Sequence, residues 1–127
     1  MATSFKFRKL SVLPSKKKGM LQEWLTRRYF QALDYQYVGS NLRYREVEID
    51  LVMAKRNTMV LIEIKTAETL SSPIPSRWKK QIQKQKEFIQ NGGLSLFSFP
   101  FLKHFPPYLR FDLVLWSKKK MHWYKNI

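Results

Sequence analysis

Four residues between Val47 and Thr66 have the types and spacing for joint chemistry: Glu48, Asp50, Glu63 and Lys65. They lie in two apolar runs, Glu48–Ala54 and Met59–Lys65, separated by Lys55-Arg56-Asn57-Thr58. The runs read as a β-hairpin, with Asn57 the residue best suited to a left-handed turn position. A symmetric turn about Arg56-Asn57 sets Ala54 opposite Met59, Asp50 opposite Glu63 and Glu48 opposite Lys65. Side chains alternate along a strand, so the four polar residues then share one face, and Ile49, Leu51, Ile62 and Ile64 share the other. Carboxylates opposed with about 4.5–5.5 Å between their Cβ atoms resist joint ionisation unless a cation lies between them. The chain has no cysteine, and its two histidines, His104 and His122, are far along it. Oxygen ligands from Asp50 and Glu63 therefore select a hard ion, Mg²⁺ or Mn²⁺. Lys65 would hold an ammonium beside that ion, able to orient a water and to stabilise charge on a phosphate under attack. The same residues allow a plainer reading, in which Glu48 and Lys65 form a cross-strand ion pair and Asp50 and Glu63 face solvent.

Scarce acids make the cluster stand out. The chain has 24 Lys+Arg against 9 Asp+Glu, for a formal net charge of +15. A domain this basic meets a polyanion, most commonly nucleic acid. The charge is spread along the whole chain rather than gathered on one amphipathic helix, which favours an extended anionic partner over a membrane surface. Apolar content of 44% and aromatic content of 15% exclude a disordered chain, and 127 residues suit a single domain with a real core. The absence of cysteine excludes disulfides, thiolate metal sites and a cysteine nucleophile, and fits a reducing, cytoplasmic setting. No apolar run approaches the roughly 18–20 residues of a membrane span, and the N-terminus lacks the apolar core of a secretory signal. It also lacks acids up to Glu23, so an organellar transit peptide stays open.

The elements that must position these residues follow from periodicity. Residues 1–18 form a basic arm, expected to be flexible, and residues 19–127 the folded domain. A helix is predicted from Gly19 to Asp34, with Leu21, Leu25, Tyr29, Ala32 and Leu33 as its apolar stripe. Glu23 lies off that stripe and, with Arg27 at i+4, suits a solvated face. A strand around Tyr35–Val38 and a Gly39-Ser40-Asn41 turn lead to the hairpin. A second helix, residues 76–91, ends at Gly92-Gly93 and carries a thin apolar face of Trp78, Ile82 and Ile89 on a basic body. The proline-broken aromatic segment 94–108 reads as a loop, followed by a strand over 108–116 and its hairpin partner. The order helix, three strands, helix, two strands predicts an α/β fold: a mixed central sheet of about five strands flanked by helices.

Asp50, twelve residues, then Glu63-Ile64-Lys65 resembles the D-x(12)-E-x-K signature of the PD-(D/E)XK nucleases, the restriction-endonuclease-like superfamily that includes Holliday-junction resolvases. Asn41-Leu42-Arg43 with Glu48-Ile49-Asp50-Leu51-Val52 is similar to the N-x-R…G-E-I-D-L-I run of the bacterial YraN family, uncharacterised protein family 0102. Leu61–Thr66 looks like its V-F-V-E-V-K-T, Gly19-x-x-x-Glu23 its opening helix, Arg110-Phe111-Asp112-Leu113-Val114 its R-F-D-V-V strand, and His122–Asn126 its closing strand. The resemblance thus runs from about Gly19 to the C-terminus. It implies a restriction-endonuclease-like fold, Asp50 and Glu63 as metal carboxylates, Lys65 as the catalytic lysine and Glu23 as a helix-borne acid near the metal. It further implies Mg²⁺-dependent hydrolysis of phosphodiester bonds in nucleic acid, DNA first, with branched or recombination and repair intermediates among the candidate substrates, leaving 5′-phosphate and 3′-hydroxyl ends. Junction-cutting relatives act as dimers, so a homodimer is a possible state. Val47 replaces the family's usual glycine, and Ala67 replaces an arginine that would touch phosphate.

Arg43 and Arg45, with Arg77, Lys79, Lys80 and Lys84 of the second helix, are the residues expected to track a nucleic-acid backbone, with salt-dependent and sequence-neutral binding. An alternative function is a non-catalytic nucleic-acid-binding module on the same fold. In that case aromatics such as Phe97, Phe99, Phe101, Phe105 and Tyr108 would stack on unpaired bases; the competing reading of these rings is core filler.

Overall fold

Residues 2–6, 15–68, 74–100, 102–104, 106–118 and 120–127 are described by the structure, a computed structural model, with side chains from Gly19 onward. The elements run β1 (Ala2–Lys6), α1 (Ser15–Ala32), β2 (Gln36–Tyr44), β3 (Val47–Lys55), β4 (Thr58–Thr66), α2 (Ser76–Gln90), a 3₁₀ turn (Gly93–Leu96), β5 (Tyr108–Ser117) and β6 (Lys120–Tyr124). They build one six-stranded sheet of order β1-β6-β5-β4-β3-β2. Only β4 and β5 are parallel; the other neighbours are antiparallel. The α/β class and the mixed sheet flanked by helices are as the sequence predicts, and consistent with a restriction-endonuclease-like fold. The strand beyond the expected five is β1, which the basic arm contributes to the edge by pairing with β6. Residues 15–18 of that arm open α1, and residues 7–14 lie outside the described residues.

The helices cover opposite faces. On one, Phe30 of α1 packs with Leu51, Met53, Val60, Ile62, Val114, Trp116 and Trp123, flanked by Leu21, Leu25, Tyr29 and Leu33. The helix presents Gln22 and Thr26 as its most buried polar positions, in line with Phe30 rather than with the predicted leucine stripe. Partners for both come from strands: Trp116 Nε1 donates to Thr26 Oγ1 at 3.1 Å, and Thr66 Oγ1 donates to Gln22 Oε1 at 2.7 Å. On the other face Ile89 of α2 joins Ile49, Val52, Met59, Leu61, Phe99 and Phe111, while Trp78 covers Leu113 and Leu115. Phe99 is therefore core filler, with Phe97 packed against it; Phe101 and Phe105 lie outside the described residues.

Asp112 locks the parallel strand from within. It is 1% exposed and accepts both guanidinium bonds of Arg110, the Trp123 indole N–H at 2.8 Å and the Asn126 N–H at 2.9 Å. The R-F-D motif is thus an internal brace, every lone pair of the buried acid being occupied.

Two turn predictions are corrected. Gly39-Ser40-Asn41 is not a turn: β2 continues to Tyr44 with a register shift between Tyr37 and Gly39, and Asn41 adopts a positive φ of 53° within the strand. In the β3–β4 turn the positive φ, 56°, belongs to Arg56 and not to Asn57. Positive φ at the first central residue is the demand of a II′-type two-residue hairpin, and here the hairpin's twist outweighs the residue's own preference.

Candidate active site

The predicted hairpin register holds from Lys55↔Thr58 through Ala54↔Met59 to Leu51↔Ile62. Beyond that point the main-chain pattern changes: the Ile64 N–H donates to the Asp50 Oδ2 at 2.8 Å. A side-chain carboxylate stands where a backbone carbonyl would otherwise accept. The alternation also slips here. Ile49, expected on the face of Leu51, packs instead with Val52 and Leu61, so Asp50 and Leu51 together occupy one step of the pleat. Such a local irregularity re-aims a side chain. It turns Asp50 towards a cleft of about 170 Å³ lined by Gly19, Gln22, Glu23, Asn41, Ile64 and Thr66. The four polar residues therefore do not share one flat face, because Glu63 and Lys65 bond to α2.

Asp50 and Glu63 nevertheless meet. The two carboxylates are close enough to act on each other, and Asp50 is pushed up to about 7. Burial is the first cause and the adjacent Glu63 charge the second; the Ile64 N–H pulls the other way, and Glu48 adds a smaller upward push. Glu63 is 4% exposed and is held on both oxygens. Gln85 Nε2 donates to Oε2 at 2.5 Å, and Gln81 Nε2 to Oε1 at 3.3 Å. Lys65 Nζ lies 3.3 Å from Glu63 Oε1 and donates to Gln81 Oε1 at 2.7 Å. Gln85 also donates to the Glu48 carbonyl at 2.8 Å, tying α2 to β3. The structure thus joins Asp50, Glu63 and Lys65 directly.

Gln81 and Gln85 are the site residues that reading the sequence missed. A signal for one exists: Trp78, Ile82, Gln85 and Ile89 fall on a single helical stripe, and all four are buried. A glutamine inside an apolar stripe requires a buried partner.

Glu23 shares the cleft with Asp50 but not an ion pair with Arg27, whose guanidinium lies 4.0 Å over the Tyr37 ring instead. Glu23 Oε1 is buried and accepts no hydrogen bond from any described residue. Glu48 is paired with Arg43 at 2.9 Å and not with Lys65, which removes the cross-strand pair expected of the plainer reading. Arg43, Arg45, Arg77, Lys79, Lys80 and Lys84 are all exposed; Lys84 lies 3.9 Å from Glu46.

Among the described residues no three His, Cys, Asp or Glu side chains form a complete ligand set. What the site does offer is an oxygen-only donor pair that repels itself when ionised, and an orphaned buried carboxylate oxygen, on Glu23, in the cleft that Asp50 lines. These features fit a hard divalent cation at Asp50 and Glu63.

A mixed sheet with helices on both faces makes this an α/β domain consistent with a restriction-endonuclease-like fold. The chain belongs to Uncharacterised protein family UPF0102, whose pattern matches residues 22–115. It is similar to a UPF0102 protein of Chlorobium phaeobacteroides, 35% identical over 63% of this chain and 62% of the relative. A UPF0102 protein of Alkaliphilus metalliredigens is 26% identical over 88% of this chain and 97% of its own length. One from Herminiimonas arsenicoxydans is 29% identical over 85% and 83%. The chain spans about three-fifths of the first relative's length. Among the described residues no helix is long and apolar enough to cross a membrane.

Proposed function

We propose that this protein is a divalent-metal-dependent nuclease that hydrolyses phosphodiester bonds, with DNA as its substrate. The observation that carries the reading is the gathering of Asp50 with the Glu63–Lys65 pair at the point where the β3–β4 ladder gives way to a side-chain acceptor. A basic chain that concentrates scarce acids at one buried point has placed them where they repel each other, and a cation resolves that repulsion.

Asp50 and Glu63 would hold Mg²⁺ or Mn²⁺, which when bound supplies a Lewis acid for the phosphate and its attacking water. The chain's own groups do the rest. Gln85 and Gln81 fix the Glu63 carboxylate, so its oxygens do not need to reorganise on binding. Lys65, held by Gln81, keeps its ammonium at the acid pair, where it orients water and offsets charge on the phosphate. Glu23 has an oxygen left to accept from that water or to complete the ion's surroundings. The exposed cations on α2, with Arg43 and Arg45, hold the phosphate backbone on either side.

The test is incubation with supercoiled, branched and single-stranded DNA, with and without Mg²⁺ or Mn²⁺, beside Asp50→Asn and Lys65→Ala. Metal-dependent cleavage that falls at least about a hundred-fold in both variants is expected. Wild-type protein that binds these substrates but never cuts, with Asp50→Asn binding equally well, supports the non-catalytic module instead.

A further inference from the structure

Glu63 and Lys65 lie at one end of the sheet, and the strand register shows what else ends there. Lys65 pairs with Leu115 of β5, Leu115 with His122 of β6, and Thr66 with Trp116. The chain leaving β4 stays bonded to β5. The Ala67 N–H donates to the Trp116 carbonyl at 3.0 Å, and Ser117 Oγ donates to the Glu68 carbonyl at 3.3 Å. The β5–β6 turn, Ser117-Lys118-Lys119-Lys120, therefore closes the same end of the sheet, two strand spacings or about 10 Å across from Lys65. Met121 and Trp123 pack into the α1 core with Trp116, so alternation puts Lys120 on the α2 side. Lys65 projects to that side too, through its bond to Gln81.

Two observations mark this turn as a place for an anion. The first is a pairing of like charges. The β1 register sets Lys6 directly opposite Lys120, and like charges opposed across antiparallel strands are destabilising. The end of the sheet that gathers repelling acids thus sets lysine against lysine two strands away. The second is a want of acids. On the β2–β3 side two cations already have partners, Arg43 with Glu48 at 2.9 Å and Lys84 with Glu46 at 3.9 Å. Lys118 and Lys120 are exposed, and neither forms an ion pair with any described residue. Glu68 meets the turn through its backbone carbonyl. The Lys120 charge is felt on its face of the sheet, since His122 is pushed down by burial first and by Lys120 second.

We propose that Lys118 and Lys120 hold the phosphate backbone of the nucleic acid next to the phosphate at Asp50 and Glu63, so that the backbone leaves the site across β5 and β6. Contacts of this kind position a nucleic acid without reading its sequence. The proposal rests on the nuclease reading for what happens at the acids, though not for whether the turn binds.

Binding of a fluorescently labelled DNA duplex is followed by anisotropy in EDTA, where cleavage plays no part, over a series of salt concentrations. Arg56 supplies the control. It and Lys118 each take a positive φ, 56° and 48°, in two-residue turns at opposite ends of the sheet. Asparagine tolerates that conformation, so Lys118→Asn and Arg56→Asn each remove one charge without new backbone strain. Lys118→Asn combined with Lys120→Gln is expected to flatten the slope of log K against log salt by between about one and two. Arg56→Asn should change that slope by less than about 0.5, and Lys120→Arg should bind as the wild type does. In Mg²⁺ the double variant should raise KM and leave kcat unchanged, because the lost charges lie away from the reacting phosphate. An unchanged slope in the double variant overturns the proposal. So does an Arg56→Asn effect as large as that of Lys118→Asn, which would reduce the turn to its share of net charge. An unchanged slope beside cleavage that Asp50→Asn abolishes sinks the turn and spares the nuclease; a flattened slope in a protein that never cuts does the reverse.

Discussion

Asp50 is the residue on which the site's electrostatics turn. In the unfolded chain its carboxyl titrates near 4, and in the fold it is pushed up to about 7, chiefly by burial and by Glu63. Between those values the native state binds more protons than the unfolded state, so stability falls as pH rises through the window and levels off above about 7. With no divalent ion present, Asp50→Asn should raise stability at pH 8 on the order of 2–4 kcal/mol and change it little at pH 3, below both values. Denaturant melts in EDTA at the two pH values check this; equal effects at both would mean that Asp50 is not the titrating group. That Asp50, Glu63 and Lys65 converge was legible from the sequence, because a two-residue turn fixes register and register fixes neighbours. The slip at Asp50 was not legible. It goes with a positive φ at Asn41 in the neighbouring β2 and with the Ile64 N–H taking a side-chain acceptor, and the hairpin's apolar alternation records neither.

At the scale of elements, α2 is the part whose meaning changed most. Its lysines and arginine read as a nucleic-acid face, and they are indeed exposed, yet the same helix reaches the acids through Gln81 and Gln85. Lone glutamines on a basic helix look solvated, because nothing local distinguishes a glutamine facing water from one facing a carboxylate. Their burial comes from the covering of Leu113 and Leu115 by Trp78 and from the packing of Ile89, contacts distant in sequence. Gln85→Ala removes the donor to both Glu63 and the Glu48 carbonyl, so it should destabilise by about 2–3 kcal/mol. Gln83→Ala, on the exposed side of the same helix, should stay within about 0.5 kcal/mol. Urea melts of both variants compare them; a similar loss in each would mean that the Gln85 bonds contribute nothing particular. α1 shows the complementary case: its existence was plain from periodicity, but its rotation was set by Trp116 and Thr66, which call Thr26 and Gln22 inward.

For the molecule as a whole, the single parallel pairing, β4 with β5, decides how the pieces come together. The three strands β2, β3 and β4 are linked by tight turns and can pair from local contacts. Parallel partners need a long crossover, and α2 lies in it. Glu63 therefore meets its glutamines only when α2, which follows β4 in that crossover, has docked against the hairpin. A partly assembled protein holds the two acids close together without the amides that steady them, and such a form has little hold on a divalent ion. An ion that recognises only the finished arrangement leaves the climb to the folding barrier untouched and deepens the well behind it. Added Mg²⁺ should thus slow unfolding several-fold in stopped-flow denaturant jumps while refolding rates stay the same, and Asp50→Asn should erase that difference. A site that α2 completes only by docking would make a bound ion a kinetic latch on the finished fold.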